Sequence, residues 1–344
     1  MSAPSRLRMA VIGLGMASTP HAKSLVELRD RVEVAAVFSP SLQRREAFAA
    51  TWGFPAVDSI ETIFTDASIA AVLLLTPPNT HLELVQMAAG AHKHILVEKP
   101  LDISLERSEL LVKTAEKADV KLAVVLQNRF RPTCEKLSTL IAEDRLGDIV
   151  SASARINNWR PQSYYDQPGR GTRARDGGGV LLTQAIHTLD LLVAFAGQHA
   201  EVKAYCTTSP IHRMETEDLA VTAIQFVGGA IGTISATTCA YPGFPDAIDI
   251  IGTKGTARLD GERLEVRFHD GSEVSLADGT AGSGAGADPM AFSHEYHRAV
   301  LADFRDAIAT GRTPRVTGRE ALKVHALIAA ILQSAQMGLD KRSK

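Results

Sequence analysis

Apolar segments rich in Val, Ile and Leu alternate with longer amphipathic segments over the first 127 residues. The apolar segments have the length of buried strands, and they lie at 9–12, 32–38, 70–75, 94–97 and 121–126. Strands that alternate with helices of about 10–15 residues predict βαβ units on a parallel sheet covered on both faces. Residues 1–127 are therefore predicted to form a doubly wound α/β domain.

Polar residues mark the expected helix ends. Thr80 and Glu83 have the spacing of a capping box, in which side chains satisfy the first N–H groups of a helix. Thr317 and Glu320 repeat this spacing near the end of the chain. Ser104 is predicted as the N-cap of a helix that runs to about residue 118.

After Gly147 the pattern changes to an alternation with a period of two. Strands are predicted at 149–157, 201–209, 219–227, 230–240, 246–251, 263–269 and 272–277. One packed face and one wetter face favour a large, open, mostly antiparallel sheet. We expect a second, α+β domain over residues 128–344, with its last helix a candidate to pack back on the first domain. The Gly/Ala/Ser-rich segment 278–289 is predicted to be a mobile loop.

The bulk composition narrows the class of protein. Of 344 residues, 45% are hydrophobic and 22% charged, as in ordinary soluble proteins, and the net charge of −2 gives no basis for nucleic-acid or membrane binding. No segment approaches the roughly 20 apolar residues of a membrane span. The three cysteines, Cys134, Cys206 and Cys239, lack metal-ligand spacing, so we expect no metal and a cytoplasmic location.

A glycine pair follows the first strand, in the sequence MAVIGLGMASTPHA. Gly13 and Gly15 allow a tight turn that brings backbone N–H groups to a pyrophosphate at a helix N-terminus. The third glycine of the dinucleotide-binding fingerprint is replaced by Ser18. The position of the pair at the first βα turn favours dinucleotide binding, and the alternative is a tight turn without a ligand.

The end of the second strand bears on the choice between NAD and NADP. This position usually carries an acid that binds the adenosine ribose, but here it is Ser39. Without a carboxylate a 2′-phosphate is not repelled, and Arg44 or Arg45 on the next helix could pair with it. The sequence favours NADP(H), with NAD(H) as the alternative if the arginines only form a solvated helix face.

The sequence HILVEKPLD, residues 94–102, ends a buried strand in two opposite charges and a proline. The carboxyl edge of an open parallel sheet is where ligands bind. Pro100 has a fixed φ and restricts Lys99 to extended geometry, which sets the direction of the amine. We therefore predict that Lys99 is functional rather than a solvated loop residue, and that the Lys99–Pro100 bond is cis.

A single helix is predicted over 180–196, ended by Gly197. Thr183, His187 and Asp190 form one polar stripe on it, among Leu, Ile, Val and Phe side chains. A helix that is otherwise apolar should be buried, so the stripe is predicted to line a cleft. The alternative is a solvent-facing stripe with a histidine of no function.

Six motifs occur in order along the chain: the GxG turn, TPPNTH at 76–81, EKP at 98–100, GGGVLLTQAIHTLDLL at 177–192, DIIGTKG at 249–255 and DFRDAIATGRTPRVTGRE at 303–320. Their order and spacing resemble the Gfo/Idh/MocA oxidoreductases over nearly the whole chain. The resemblance implies a Rossmann domain followed by a domain with a large open sheet that builds homodimers or homotetramers. It also implies a nicotinamide cofactor and a sugar or cyclitol substrate.

The resemblance further implies roles for individual residues. Lys99 would lie beside the nicotinamide and the substrate hydroxyl, and His187 would donate or accept a proton. The family often has an aspartate four residues before this histidine, where this chain has Thr183. The expected cofactor contacts are Gly13, Gly15, Met16, Ala17, Ser39, Arg44, Thr76, Pro77, Asn79, His81, Glu98 and Lys99. The expected substrate contacts are Lys99, Arg155, Trp159, Thr183 and His187.

The segment 155–175 bears on the class of substrate. It holds five arginines, which suit carboxylate or phosphate, and Trp159, Tyr164 and Tyr165, whose ring faces suit sugars. This composition favours an anionic sugar or a nucleotide-linked sugar. The alternative is a loop at an oligomer interface.

The sequence thus predicts an NAD(P)-dependent oxidoreductase that transfers hydride between the nicotinamide and a secondary hydroxyl or keto group of a sugar-like substrate. Lys99 and His187 are predicted to handle the proton. Two other classes stay open: a catalytically silent dinucleotide- or sugar-sensing regulator, and a reductase of non-sugar carbonyls. Thr183 is consistent with the regulator, whereas the intact Lys99 and His187 favour the enzyme.

Overall fold

The computed structural model describes residues 6–279, 285–286 and 293–340, and it divides into two compact units. The first unit combines the chain up to Gln127 with His294–Leu322, and the second combines Asn128–Ser293 with the remainder of the C-terminal helix. Most of the predicted mobile loop at 278–289 lies outside the described residues. Among the described helices, none is both long and apolar enough to cross a membrane.

The first unit contains a five-stranded parallel sheet with helices between the strands. The strands are β1 (Leu7–Ile12), β2 (Val32–Phe38), β3 (Ala71–Leu74), β4 (His94–Glu98) and β5 (Leu122–Val125). The helices are α1 (Ser18–Glu27), α2 (Leu42–Trp52), α3 (Ile60–Thr65), α4 (His81–Gly90) and α5 (Leu105–Lys117). The strand order is β2-β1-β3-β4-β5, with all neighbours parallel, as the sequence predicts.

A one-residue parallel bridge between Val37 and Ala56 extends this sheet beyond β2. It is supported by hydrogen bonds from Val37 N–H to Pro55 O and from Val57 N–H to Val37 O. With this bridge counted as a strand, the order becomes the 3-2-1-4-5-6 order of a Rossmann sheet. The crossovers reverse direction beside β1, which is the place where such sheets bind dinucleotides.

Of the two caps predicted for helices between the strands of this unit, one is confirmed. The Ser104 hydroxyl accepts a hydrogen bond from Arg107 N–H, as expected of an N-cap. The Thr80 hydroxyl instead lies 2.7 Å from Thr76 Oγ1 and 2.8 Å from Pro77 O, and it makes no cap. The capping box predicted at Thr80 is therefore wrong, because a single 3₁₀ turn over Pro78–Thr80 precedes α4.

The second unit begins with α6 (Pro132–Ala142) and is dominated by an eight-stranded sheet. Its further elements, in chain order, are β6 (Ile149–Asn157), α7 (Gln162–Tyr165), α8 (Val180–Thr183), α9 (Ile186–Ala196), β7 (His199–Thr207), β8 (Leu219–Phe226), β9 (Ile231–Thr237), β10 (Ala247–Gly252), β11 (Gly255–Asp260), β12 (Arg263–Phe268) and β13 (Glu273–Ala277). The order is β13-β12-β11-β10-β6-β9-β8-β7, and every pair is antiparallel except β6 with β9. The large, mostly antiparallel sheet is thus confirmed.

One strand of this sheet, β11, is missed by the sequence prediction. Its buried positions hold Gly255, Ala257 and Leu259, and two of these are too small to give a hydrophobic signal. The strand forms because β10 and β12 pair with it on both sides. An added Cβ at Gly255 would lie 2.8 Å from Arg267 O, so the register leaves room only for glycine.

The helix predicted over 180–196 is two helices, α8 and α9, joined through Gln184 and Ala185. The Thr183 hydroxyl donates to Gly179 O at 2.6 Å, and the Ala185 N–H bonds Val180 O, five residues back. This widened turn interrupts the regular hydrogen-bond ladder, as threonine back-bonding and π-type turns do. Thr183 and His187 therefore lie on different helices and are not one turn apart on a single helix.

Two helices close the chain, α10 (Glu295–Thr310) and α11 (Gly318–Asp340). α10 packs against α1 and β5 of the first unit. The Thr317 hydroxyl accepts from Glu320 N–H at 3.2 Å, which confirms the predicted cap. At Gly318 an added Cβ would come within 2.8 Å of Leu122 and Val112 side-chain atoms, so the first turn of α11 lies close to the sheet and α5.

Candidate active site

The glycine turn after β1 has the geometry of a dinucleotide-binding turn. Gly13 has φ +101°, and an added Cβ would lie 2.6 Å from Leu75 C, so this position excludes other residues. Gly15 has no atom within 4 Å of an added Cβ and thus borders open space. The Ser18 hydroxyl donates to Gly15 O at 2.6 Å and fixes the start of α1. An open glycine before a helix N-terminus fits a pyrophosphate, so the chain's own residues fit the cofactor.

The neighbouring side chains on this edge agree only partly with the predicted role in NADP recognition. Ser39 is buried after β2, and its carbonyl accepts from Arg45 Nη1 at 2.7 Å. Arg45 also pairs with Asp58 at 3.3 Å, which gives it a structural role. Arg44 is exposed on the first turn of α2. Met16, which follows Gly15, exposes 42% of its surface despite being apolar.

His81 joins the turn after β3 to the turn after β4. Its ring is fully buried, with Nδ1 3.1 Å from both Pro100 O and Leu101 O, and Nε2 2.9 Å from Thr76 O. Burial lowers the pKa of His81, and the contacts with the backbone carbonyls of Thr76, Leu101 and Pro100 partly oppose this effect. Thr76 and the segment around Pro100 are thereby held at one edge of the sheet. The predicted contacts Pro77 and Asn79 lie on the same turn.

Lys99 lies at the carboxyl end of β4, half-buried, and its peptide bond to Pro100 is cis as predicted. The Lys99 N–H donates to Glu98 Oε2 at 3.0 Å. Glu98 Oε1 is 2.8 Å from Nε2 of His21, a fully buried residue of α1. Burial alone would raise the pKa of Glu98, but the His21 hydrogen bond and nearby positive charges lower it to about 2.

A second histidine completes this cluster. His297 of α10 packs edge-on against His21, with ring centroids 4.9 Å apart. Burial, with smaller effects from neighbouring charges, lowers the pKa of His297 to about 3, so its ring is neutral. Neither histidine is among the predicted site residues. Only His21 could have been inferred from its place in the sequence, because it lies six residues after Gly15 on the first predicted helix.

In the second unit, the DGGG sequence forms a turn around a buried carboxylate. Both Glu217 oxygens lie 3.1 Å from Gly179 N, and Oε1 also accepts from Leu181 N–H at 3.2 Å. An added Cβ at Gly179 would be 1.8 Å from Glu217 O, so no side chain fits. Burial raises the pKa of Glu217, partly offset by these backbone hydrogen bonds. The turn fixes the start of α8, which leads to His187.

His187 lies on the first turn of α9, half-buried, and its neighbours anchor the helix. Thr188 donates to Asp246, which also accepts from Asn158 Nδ2, and burial raises the pKa of Asp246 to about 6. Asp190 accepts both Nε and Nη2 of Arg129, at 2.7 and 2.6 Å, and is 1% exposed. Asp190 is therefore a buried ion-pair partner, and the prediction that it lines a cleft is wrong.

Aromatic and guanidinium groups of the 155–175 segment meet around Tyr164. Arg170 lies over the Tyr164 ring at 4.9 Å, and Arg160 lies 5.8 Å from its centroid. Gln184 Nε2 is 3.5 Å from the Tyr164 hydroxyl, and the side chains of Thr183 and Gln184 are in hydrogen-bond contact. This group, which we call the Tyr164 cluster (Arg160, Tyr164, Arg170, Thr183 and Gln184), lies beside the turn that leads into His187. Of its members, only Thr183 is among the predicted contacts.

The other two predicted substrate contacts lie elsewhere in this unit. Arg155 is exposed on the outward face of β6, opposite Ser235 of β9 and Ala247 of β10. Trp159 is half-buried and packs edge-on against Tyr241, with ring centroids 5.5 Å apart. The structure therefore brings together Thr183 with Arg160 and Arg170, two of the five arginines in the segment predicted to bear on the substrate class.

The chain belongs to the Gfo/Idh/MocA oxidoreductases, a family with an NAD-binding Rossmann fold. Residues 7–126 match the model of its oxidoreductase family, NAD-binding Rossmann fold, and residues 134–258 match the model of a GFO/IDH/MocA C-terminal domain. The two matches cover more than half of the chain, in the order that the motifs predict. The class is thus an NAD(P)-dependent oxidoreductase that acts on CH–OH groups.

Named relatives cover most of the chain. It is 28% identical to myo-inositol 2-dehydrogenase of Thermotoga maritima over 75% of this chain and 76% of that protein. It is 27% identical to the scyllo-inositol 2-dehydrogenase (NAD⁺) of Bacillus subtilis, covering 92% and 90% of the two chains. Among solved structures, the WlbA dehydrogenase from Bordetella pertussis, in complex with NADH and UDP-GlcNAcA, superposes with a TM-score of 0.84 at 29% identity, over 97% of this chain and 98% of that one.

Proposed function

We propose that this protein is a dehydrogenase of an acidic sugar, in free or nucleotide-linked form, with a nicotinamide cofactor. The observation that carries the substrate class is the Tyr164 cluster, in which the half-buried Arg170 guanidinium lies over the Tyr164 ring beside the turn to His187. Arg160, the second arginine of the cluster, is buried and bonds backbone carbonyls, so Arg170 is the group assigned to the substrate. Guanidinium groups bind carboxylates through paired hydrogen bonds, and an aromatic face suits a sugar ring. The ligand of the WlbA dehydrogenase, UDP-GlcNAcA, supports the same class.

The proton chemistry is assigned to Lys99 and His187. When bound at the glycine turn, the cofactor supplies the nicotinamide C4 that accepts or returns the hydride. Lys99 and His187 both hydrogen-bond the reacting hydroxyl, and together they remove its proton as the hydride leaves. The hydrogen bond to Glu98 holds the backbone of Lys99. With Thr183 in place of an aspartate, no carboxylate at that position assists His187.

The cofactor is proposed to be NADP(H), because Ser39 carries no charge to repel a 2′-phosphate and Arg44 is exposed nearby on α2. Replacing Arg44 by alanine should weaken NADPH binding about tenfold and change NADH binding less than about twofold, since only the phosphate contact is lost. Fluorescence titration of both nucleotides measures this. Arg29→Ala, an exposed arginine after α1, is the control; equal effects on both nucleotides, or tighter binding of NADH by the wild type, would refute the NADP assignment.

The substrate class is tested by turnover with uronates, UDP-linked uronic acids, neutral sugars and inositols, each with NAD⁺ and NADP⁺. We expect activity on the acidic sugars, and Arg170→Ala should raise KM for them about 10- to 100-fold, because a charged hydrogen bond is lost. Arg173→Ala, an exposed neighbour in the same segment, should change KM by less than about twofold. Activity on inositols alone would overturn the acidic class. Tight ligand binding without turnover of any substrate would favour the silent regulator.

The outward face of the large sheet is proposed to form a homodimer or homotetramer. It exposes apolar side chains on four of its strands, namely Tyr205 (66%), Val221 (49%), Ile231 (62%) and Ile251 (44%). Apolar patches of this kind usually mark an interface. Sedimentation velocity should show an oligomer, and a monomer at micromolar concentration would contradict the proposal.

A further inference from the structure

Behind Lys99, two buried histidines and the 12% exposed carboxylate of Glu98 form a chain of contacts that links three separate elements. Glu98 ends β4, His21 lies on α1 and His297 lies on α10. One ring nitrogen of each histidine and one carboxylate oxygen of Glu98 all lie within 4.8 Å of one another. All three belong to the first unit, so the arrangement is internal to the dinucleotide-binding half of the protein.

The carboxylate of Glu98 has two different partners, one on each oxygen. Oε2 accepts the main-chain N–H of Lys99 at 3.0 Å, and Oε1 lies 2.8 Å from His21 Nε2. An ionised carboxylate can only accept hydrogen bonds, so Nε2 of His21 carries a proton. Among the described residues, none hydrogen-bonds Nδ1 of His21, which is also buried. Within that part of the chain, Glu98 is thus the one group to which the His21 ring donates.

This arrangement fixes Lys99 through its backbone. The hydrogen bond of Lys99 N–H to Glu98 Oε2 is a contact through which the carboxylate orients this residue. On its other side, the φ of Pro100 is fixed by its ring. The charge on Lys99 in turn lowers the pKa of both Glu98 and His297, which shows that its amine is within electrostatic range of the cluster. A change in the position of the Glu98 carboxylate therefore changes both the orientation and the electrostatic surroundings of the amine.

His21 is also set by its neighbours. It is fully buried on α1, the helix that begins at the glycine turn, and its ring is packed edge-on against His297. His297 is 3% exposed and neutral, so it fills the space behind His21 without adding a charge. The ring of His21 consequently has one orientation, with its N–H toward Glu98.

We propose that His21 is a positioning residue, which holds the Glu98 carboxylate by one hydrogen bond and thereby orients Lys99 relative to the glycine turn at the start of its own helix. This inference rests on the proposed role of Lys99 in proton transfer. In this proposal, the helix that follows the dinucleotide turn is connected to the segment of Lys99 by the hydrogen bond between His21 and Glu98, in addition to the sheet. His297 is the packing partner that keeps the ring in place.

The test compares three variants with the wild type in the full-length protein. His21→Phe keeps the volume and removes the donor, His21→Gln keeps an N–H donor, and Glu98→Gln keeps the shape and removes the charge. His94→Phe is the matched control, because His94 is half-buried at the opposite end of the same strand. Two quantities are measured: kcat and KM with the substrate found above, and the exchange rate of the Lys99 amide.

The amide exchange needs no substrate. In protein labelled with ¹⁵N-lysine, the Lys99 signal is assigned by its loss in Lys99→Arg, and its exchange rate should rise about tenfold or more in His21→Phe and Glu98→Gln. We expect kcat to fall about 10- to 100-fold in both variants, with KM for the nucleotide changed less than about threefold. His21→Gln should restore both quantities to within about threefold of wild type, and His94→Phe should leave them unchanged.

The outcomes separate this proposal from the proposed function. If His21→Phe and His21→Gln have equal kcat, or if the Lys99 amide exchanges at the wild-type rate in His21→Phe, His21 does not position Lys99. Should His21→Phe fail to fold, wild-type exchange and kcat in Glu98→Gln would overturn the proposal equally. If no substrate is turned over, the proposed function fails while the amide exchange still decides the role of His21.

Discussion

Replacing Lys99 by methionine is expected to lower kcat about 10²- to 10⁴-fold, the usual contribution of a positioned acid–base group. Methionine keeps the length and apolar stem of lysine but cannot accept or donate a proton. The half-buried position at the end of β4 accommodates this stem, so the nucleotide should still bind. The measurement is reduced-nicotinamide absorbance under single-turnover conditions, with binding followed by fluorescence.

The control for this variant is Lys113→Met, an exposed lysine on α5 that pairs with Glu109 of the same helix at 3.4 Å. It should retain wild-type kcat, because exposed pairs of this kind contribute little. His187→Ala, the companion variant, should lower kcat by at least about tenfold for the same reason as Lys99→Met. Wild-type turnover in both the Lys99 and the His187 variant would show that the proton is handled by other residues.

Replacing Asp190 by alanine is expected to destabilise the protein by about 3–5 kcal/mol, since it leaves the partner arginine without its counter-ion in a buried site. Asp190 is 1% exposed and Arg129 is 14% exposed, and the two share a bidentate contact. The loss is measured as the shift of the urea midpoint at constant slope. The site should lose activity at temperatures where the wild type is still active, because α9 carries His187.

A matched control uses an exposed pair of the same unit. Asp166 lies 3.9 Å from Arg213, and both side chains are more than half exposed. Asp166→Ala should shift stability by less than about 1 kcal/mol. If Asp190→Ala were as stable as this control, the Arg129 pair would not be what anchors α9.

Much of the fold follows from local sequence, because strand and helix patterns in a βαβ series are set by neighbouring residues. The position of Lys99 at a strand end and its cis bond to Pro100 could be predicted in the same way, because the strand end and the proline are close in sequence. The break between α8 and α9 could not be predicted from local sequence. It coincides with a hydrogen bond from the Thr183 hydroxyl to Gly179 O, where the regular backbone hydrogen bonds of the helix are interrupted. β11 was missed because its core-facing positions hold small residues, so the strand is defined by its pairing with β10 and β12 rather than by a hydrophobic pattern.

The candidate site was predictable to the extent that its residues belong to short motifs. Gly13 and Gly15 follow β1, and His81 begins the helix after β3, so local sequence places all three near one edge of the sheet. The contact of His21 with Glu98 joins residues 77 positions apart, and His297 comes from near the end of the chain, so no periodicity connects them. Asp190 was misassigned for the same reason: its partner, Arg129, is 61 residues away.

The return of the chain to the first unit has a consequence for biosynthesis. β1 to β5 are complete once residue 125 has been made, yet α10 and the first turn of α11 are added only after Asn128–Ser293 of the second unit has been synthesised. Until then the faces of α1 and β5 that α10 covers are bare, and His21 lacks its packing partner. A nascent chain released before residue 310 would therefore expose an apolar helix face of the nucleotide-binding half, the kind of surface that chaperones protect during translation.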